Sequence, residues 1–300
     1  MTLTLRQAAV LVLLTLIWGF NWPIMKLGVA FYPPLTFRAV SMWLGLPLLW
    51  VVLLGLRVPL AISREHWREL ASLSVTNMLV WYAVAIIALQ SLASGRAAIL
   101  GYTMPVFSAL VGRWFFAEQL SPRQLAGVLA ATLGAGLLLA HEFGTLAGKP
   151  VAALGMLAAA AAWAVGTQQL RRTRIAAPTL AIAFWMTVLT TPVISLFALL
   201  LEAADWRAPD AVEWAALAYN AVLVFGYAQP AWLYLARSLP PVASTLSVMF
   251  VPVLGVACGA WLLGETLHWQ DYAAIVLIVL AIASVLWPRS APMRVGNAER

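Results

Sequence analysis

Residues 105–120 read PVFSALVGRWFFAEQL, and residues 252–267 read PVLGVACGAWLLGETL. Placed at an offset of 147 positions and without a gap, the two segments share these pairs: Pro105 with Pro252, Val106 with Val253, Gly112 with Gly259, Trp114 with Trp261, Glu118 with Glu265 and Leu120 with Leu267. The register extends over residues 91–139 and 238–286. It predicts an internal repeat, so we divide the chain into a first unit, residues 1–145, and a second unit, residues 146–300.

The composition excludes a soluble globular domain. The 300 residues are 63% hydrophobic and 10% charged, whereas a soluble domain is about one-quarter charged. The net charge of +7 comes from short clusters between apolar runs, a pattern that disfavours nucleic-acid binding. The single cysteine, Cys258, lies inside an apolar run, so no disulfide framework and no thiol-based metal site are expected.

Apolar segments of the length that a membrane requires recur along the whole chain. A helix needs roughly twenty apolar residues to cross a bilayer. Ten segments qualify: about 7–29, 34–55, 68–89, 94–117, 122–140, 150–170, 178–200, 213–236, 241–263 and 269–287. The first segment contains Trp18, Asn21 and Pro23 without a small-residue cleavage site, so we interpret it as a retained span and not as a signal peptide.

Lysine and arginine predict the orientation, because they accumulate in cytoplasmic connections. With a cytoplasmic N-terminus, the inner side collects Arg6, Arg57, Arg64, Arg68, Arg123, Arg171, Arg172, Arg174, Arg237, Arg289, Arg294 and Arg300. The outer side receives Lys26, Arg96, Lys149 and Arg207. Both termini are therefore predicted to be cytoplasmic, in a bacterial-type inner membrane. Five spans per unit is an odd number, so the second unit enters the bilayer inverted relative to the first.

Three short motifs mark the two units. They are Trp18-Gly19-Phe20-Asn21 in the first span, Pro105-Val106-Phe107 followed by Glu118-Gln119-Leu120, and Pro252-Val253-Leu254 followed by Gly264-Glu265-Thr266-Leu267. In these motifs the chain resembles the two EamA-type repeats of the drug/metabolite transporter superfamily, over nearly its whole length. Within that superfamily it looks most like the YddG group of bacterial exporters of aromatic and other amino acids.

The resemblance implies a fold and a mode of action. The expected architecture is all-α, with ten transmembrane helices arranged as two inverted five-helix repeats around a central cavity. The first, third, fourth, sixth, eighth and ninth helices would line that cavity, which would open alternately to the two sides of the membrane.

The acidic residues indicate how transport is energised. All 11 lie in loops or near span ends, although acids at mid-membrane usually mark ion or proton relays. The small multidrug pumps of the drug/metabolite transporter superfamily carry an acid in their first helix. At the corresponding place this chain reads LIWGFN, residues 16–21, and has no acid. We therefore predict export without a carboxylate proton relay, by facilitated diffusion or weak coupling.

Polar and aromatic side chains recur on one face of several spans at three- and four-residue spacing. Counted at 1.5 Å per residue, the central aromatic side chains lie roughly 16 to 21 Å inside their spans, beyond the interfacial belt. The predicted substrate-binding residues are Trp18, Asn21, Asn77, Met78, Trp81, Tyr82, Tyr102, Trp163, Thr167, Tyr227, Ser244 and Ser247. Hydrogen bonding between helices is the alternative interpretation of each.

The repeated prolines and glutamates receive other roles. Pro105 and Pro252 each remove a backbone hydrogen bond and permit a bend; we predict a moving hinge at both, and a fixed kink is the alternative. Glu118 and Glu265 would lie at opposite membrane surfaces, too far apart to share a substrate. Each is predicted to be structural, with its carboxylate near the amide donors of the next helix, at Ser121-Pro122 or near His268.

The predicted cavity is uncharged, since the basic candidates fall near span ends, from which long side chains reach water. These candidates are Lys26, Arg38, Arg96, Arg113 and Arg237. Such a cavity fits a small, net-neutral, amphipathic solute better than a phosphate. Together with the resemblance, this predicts outward transport of amino acids, including aromatic ones.

Other functions remain as alternatives. An exporter of drugs or other metabolites, or a lipid flippase, would share the fold. An intramembrane enzyme is disfavoured because His66, His141 and His268 are peripheral and no catalytic cluster falls within a span. A pore is disfavoured because no ring of charge is visible. No cofactor and no metal are expected, a monomer is favoured, and the exact substrates are left open.

Overall fold

The computed structural model describes residues 4–144, 148–231 and 241–286, and in it the side chains of residues 241–248 and 285–286 are left undescribed. Every regular element in this part of the chain is helical. The helices are α1 Leu5–Val29, α2 Pro34–Gly55, α3 Arg64–Ser91, α4 Ser94–Phe116, α5 Pro122–Gly144, α6 Pro150–Leu170, α7 Thr179–Asp205, α8 Ala211–Ala231, α9 Pro241–Leu263 and α10 Trp269–Leu286. The predicted all-α class is confirmed for the described residues.

The helices have the length and apolar surface of membrane spans. In the described residues, 8 helices, α1 to α8, meet both requirements, and α9 and α10 contribute the shorter apolar stretches Met249–Leu263 and Trp269–Ser284. Large apolar side chains cover the outside, including Trp114 at 72% and Trp261 at 76% exposed. An exposed surface of this kind is stable against lipid and unstable in water. The chain is a multi-pass integral membrane protein.

Three helices are irregular near their midpoints. Residues Val75–Leu79 of α3 and Tyr219–Ala228 of α8 are π-helical, and the offset of 147 places residues 75–79 on 222–226. Helix α4 breaks after Gly101 and restarts at Met104, with Pro105 in the first turn, where its missing N–H costs little. Both units therefore carry an interruption of the kind that often marks functional positions.

Helix packing repeats between the two units. Helix α1 packs on α9 as α6 packs on α4, and α2 packs on α8 as α7 packs on α3. Helices α5 and α10 pack on each other, and α10 also packs on α9 and α4. Gly127 of α5 permits the close approach there, because a Cβ at this position would lie 1.7 Å from Oγ of Ser284.

Candidate functional site

A cavity of about 750 Å³ is lined by residues of α1 to α6 and of α8. Ten of the residues singled out in the sequence line it: Trp18, Asn21, Asn77, Trp81, Tyr82, Tyr102, Pro105, Glu118, Trp163 and Thr167. Of the lining residues, Arg171 is exposed and Glu118 and Gln124 are half-buried, so we assign the mouth of the cavity to this end. The blind end is formed by Met25, Ile86 and Leu89, which are 6%, 1% and 0% exposed. The volume is typical of a small-molecule site.

Two predicted residues lie elsewhere. Met78 is 2% exposed and its sulfur accepts a hydrogen bond from Oγ1 of Thr187 on α7 at 3.4 Å. Tyr227 packs in a cluster with Leu14 and Ile17 of α1. The predicted faces assumed 3.6 residues per turn, but both residues lie in π-helical turns, which rotate the side chains off that register.

Two further predicted residues, Ser244 and Ser247, have side chains outside the described part of the chain. Pro252 lies within α9, which continues past it as a helix. The hinge role of Pro105 and Pro252 stays a prediction.

Four aromatic side chains form one wall of the cavity. Trp22 meets Trp81 and Tyr102 edge to face, with ring centroids 6.5 Å apart in both pairs. Trp81 meets Trp163 in the same manner at 5.6 Å. Edge-to-face pairs at these distances stabilise each other's orientation. We call Trp22, Trp81, Tyr102 and Trp163 the aromatic wall; it presents a rigid, apolar surface to the cavity.

Trp22 is a member of this wall that the sequence reasoning missed. It lies four residues after Trp18, a spacing that places both indoles on one face of α1, so the helical spacing alone could have identified it. In the structure, two glycines of other helices face it. A Cβ at Gly101 would lie 3.0 Å from Cη2 of Trp22, and one at Gly255 would lie 3.4 Å from its Cδ1. Both glycines leave room for the indole ring.

Arg38 contradicts the prediction of an uncharged cavity and of a side chain that reaches water. It lines the cavity and is 5% exposed. Its Nη2 donates to the sulfur of Met25 at 3.1 Å, and its guanidinium carbon lies 5.0 Å from the ring centroid of Tyr82. A cation therefore faces the interior of the cavity.

The beginning of α2 explains why Arg38 is buried. The carboxylate of Glu202, at the end of α7, accepts hydrogen bonds from the backbone N–H of Leu35 at 2.9 Å and of Thr36 at 2.7 Å. The indole N–H of Trp206 donates to Oγ1 of Thr36 at 2.9 Å. These contacts cover the first turn of α2 with another part of the chain. Arg38 lies one turn further in, beneath that cover.

A polar network borders the mouth. The amide nitrogen of Gln168 donates to the carbonyl and hydroxyl oxygens of Ser108, at 2.7 and 3.1 Å. Arg172 donates to Oε1 of Gln168 and to Oε1 of Glu118, and its guanidinium carbon lies 3.8 Å from the ring centroid of Phe116. Glu118 and Arg172 are each about one-third exposed, at 37% and 34%.

The predicted contact of each glutamate with the helix that follows it is wrong. Glu265 accepts hydrogen bonds from the backbone N–H of Ser94 at 2.5 Å and of Gly95 at 3.1 Å, at the beginning of α4 in the other unit. The following helices supply their own caps. Ser121 accepts from the N–H of Gln124, and Asp271 accepts from the N–H of His268.

An ion network lies beside Glu265, beyond the blind end. Arg96 donates to Asp271 at 2.7 Å and to Glu142 at 2.5 Å. The side chains of Asp271 and Glu142 are 3% and 6% exposed, so the three charges are largely shielded from solvent. No group of three or more potential metal ligands occurs among the residues that the structure describes.

A family model, described as the EamA-like transporter family, matches residues 6–140 and 150–287. The chain belongs to this family. Its two matched ranges cover nearly all of the chain, and the activity of the family is transport, so the protein is a transporter and not an enzyme.

Curated relatives are similar over almost their full length. YedA of Escherichia coli K12, an uncharacterized inner membrane transporter, is 28% identical and aligns with 91% of this chain and 88% of its own. YoaV of Bacillus subtilis, an uncharacterized transporter, is 25% identical over 89% and 91%. A probable amino-acid metabolite efflux pump of Salmonella typhimurium is 28% identical over 90% and 91%.

A crystal structure shares the fold. It superposes with a TM-score of 0.66 at 21% identity and covers 93% of this chain and 96% of its own. At this identity the likeness concerns the fold alone.

Proposed function

We propose that the protein exports small amphipathic metabolites, above all amino acids including aromatic ones, across a bacterial inner membrane. The observation that carries the proposal is the cavity, which joins an aromatic wall to hydrogen-bonding groups from several helices. An apolar side chain would lie on the wall, and a polar head group would meet the amide and hydroxyl groups. The probable amino-acid metabolite efflux pump of Salmonella typhimurium among the relatives agrees with this substrate class.

Alternating access between two inverted five-helix repeats is the mechanism that we propose. The offset of 147 residues, the π-helical turns of α3 and α8 and the reciprocal helix packing support this architecture. Residues 1–145 would form one repeat and residues 146–300 the other. Transport would proceed by rocking of the helices around a cavity near the bilayer midplane.

The mouth of the cavity lies on the side where arginines accumulate. Arg171 lines it, and Arg172 and Arg174 follow within the same connection. By the distribution of positive charge, this side is cytoplasmic. The conformation would therefore accept substrate from the cytoplasm, as an exporter requires, with both termini on the same side.

The acid nearest the cavity supports transport without a proton relay. Glu118 lines the mouth, where it pairs with Arg172 and is partly exposed. A relay acid is expected deep in the membrane and shielded from water. We propose facilitated or weakly coupled export.

Counterflow in liposomes tests the function. Purified protein should exchange labelled phenylalanine, tryptophan and aliphatic amino acids with and without an imposed pH gradient. Transport of lipophilic cations or of lipid without any amino acid would replace this proposal by a drug exporter or a flippase. A strict dependence on the pH gradient would contradict the absence of a relay.

Trp163→Ala tests the cavity itself. Loss of one indole from the wall is expected to lower phenylalanine flux by about tenfold, because aromatic contacts and buried apolar area are lost together. Tyr227→Ala is the matched control, since Tyr227 packs against α1 outside the cavity. Equal loss of flux in both variants, at equal expression, would contradict the assignment of Trp163 to the binding surface.

A further inference from the structure

Arg38 is a buried cation for which the described residues provide no anionic partner. Among the residues that the structure describes, no carboxylate lies within ion-pair distance of its guanidinium, and its Nε has no hydrogen-bond partner. The sulfur of Met25, which accepts from Nη2 at 3.1 Å, is a weak acceptor. Keeping an unpaired guanidinium away from water is costly, so its missing partner points to a ligand.

Asn21 supplies a complementary group close to Arg38. Its Nδ2 donates to the same sulfur of Met25 at 3.4 Å, while its Oδ1 is buried and unpartnered among the described residues. Asn21 and Arg38 therefore meet at one atom of Met25, and both line the cavity. The pair offers unused donors on Arg38 and an unused acceptor on Asn21.

The aromatic wall begins next to this pair. Trp22 follows Asn21 in α1, and Tyr82, beneath the guanidinium of Arg38, follows Trp81 in α3. A ligand that satisfies all three features needs an anionic group, an adjacent donor and an apolar extension. An α-amino acid has this constellation, with a carboxylate and an ammonium on one carbon and a side chain beside them.

We propose that Arg38 binds the carboxylate of an α-amino acid and that Asn21 Oδ1 accepts a hydrogen bond from its ammonium group. This inference rests on the proposed function and makes it more specific. The site then requires a free carboxylate. Amines without a carboxylate, and cationic drugs, leave the guanidinium of Arg38 without an anionic partner. Its positive charge repels theirs, so they are expected to bind more weakly.

Equilibrium binding to the purified full-length protein in detergent tests this requirement without any mutation. Labelled L-phenylalanine is displaced by unlabelled L-phenylalanine, by phenylalaninamide or by phenethylamine. The two compounds without a carboxylate are expected to compete about 10- to 100-fold more weakly, the ratio that corresponds to a lost hydrogen bond to a charged group. Equal competition by phenethylamine would overturn the role of Arg38.

Variants at position 38 test whether the preference for a free carboxylate comes from Arg38. Arg38→Gln is expected to weaken phenylalanine binding by about 10- to 100-fold and to remove the preference over phenylalaninamide. Arg38→Lys keeps the charge and should restore part of that preference. Arg113→Gln, an exposed arginine of α4, is the matched control and should bind as the wild type does. Size-exclusion elution verifies that each variant is folded.

The failure of this inference and the failure of the proposed function are distinguishable. If the wild type binds phenylalanine and Arg38→Gln binds it equally well, the carboxylate site is wrong and the exporter proposal stands. If the wild type binds no amino acid and transports none, both are wrong.

Discussion

The equivalent glutamates Glu118 and Glu265 differ in their surroundings, although the repeat gives them the same place in each unit. Glu265 is bound to the N–H groups of Ser94 and Gly95 at the beginning of α4. Glu118 instead pairs with the partly exposed Arg172 and lines the mouth. The same motif therefore closes one end of the protein and borders an opening at the other. This difference agrees with the alternating access that we propose.

The residues around the two glutamates explain part of the difference. Arg96, Asp271 and Glu142 form a buried network beside Glu265. At the offset of 147 residues, Arg96 corresponds to Ala243, and Asp271 corresponds to Gln124. A neutral glutamine at the mouth cannot form the ion pair that the aspartate forms beyond the blind end. The closed end is therefore held by charges that the repeat does not duplicate.

The largest expected effect is on stability, from Arg96→Gln. It leaves the carboxylates of Glu142 and Asp271 shielded from water without their cation, which is expected to lower the free energy of unfolding by about 3 kcal/mol or more. Arg172→Gln, at the mouth, is the matched control. It should cost less, about 1 kcal/mol, because its ion pair with Glu118 is partly exposed and the carboxylate that it leaves can reach water. SDS titration of the two detergent-solubilised variants, followed by circular dichroism, measures the decrease in the free energy of unfolding. An equal decrease in both variants would contradict a stronger ion network beside Glu265 than beside Glu118.

A smaller effect is expected from the two equivalent glycines. A Cβ at Gly259 would lie 2.5 Å from both Oε2 of Glu265 and Oγ of Ser94, and a Cβ at Gly112 would lie 2.4 Å from Oε2 of Glu118. Glu265 is held by backbone donors, whereas Glu118 can turn towards water. Gly259→Ala is therefore expected to destabilise by about 1 to 3 kcal/mol, the usual cost of overpacking, and Gly112→Ala by less. The same SDS titration compares them, and a reversed order would place the rigid end at the mouth.

The smallest effect is expected from the glutamates themselves. Glu265→Gln weakens the hydrogen bonds to the beginning of α4 and should open the blind end several-fold more often, since about 1 kcal/mol corresponds to a factor of roughly five. Leu89→Cys in a Cys258→Ala background reports this opening through the rate of labelling by a thiol reagent from the outer side. Glu118→Gln is the control and should not raise that rate. A rise of the same size in both would remove the distinction between the two glutamates.

The repeat and the membrane class were predictable from the chain alone. A glycine, a proline and a glutamate at constant offset do not depend on which helices become neighbours, and long apolar segments must span a bilayer whatever their packing. The lining residues were harder to predict. Trp81 and Trp163 follow from depth and helical spacing, but Met78 and Tyr227 do not face the cavity because the π-helical turns change the spacing itself.

Arg38 and Glu265 show what the linear pattern could not supply. The position of Arg38 near the start of a span predicted a side chain that reaches water, yet Glu202 and Trp206, more than 160 residues away in the chain, cover that helix end. Glu265 was assigned to the helix beside it in the sequence and instead binds α4, some 170 residues earlier.

The amino-acid sequence by itself determined the helical membrane class and pointed to most of the aromatic and polar groups that line the cavity; the division into two related units stays a prediction from the offset of 147 residues. These follow from composition and periodicity, which are local properties of the chain. Only the tertiary structure decided that a cation faces the cavity and that one glutamate closes an end while its counterpart lines a mouth. Burial and pairing of a charge depend on which distant segments cover it, and no spacing within a single helix contains that information.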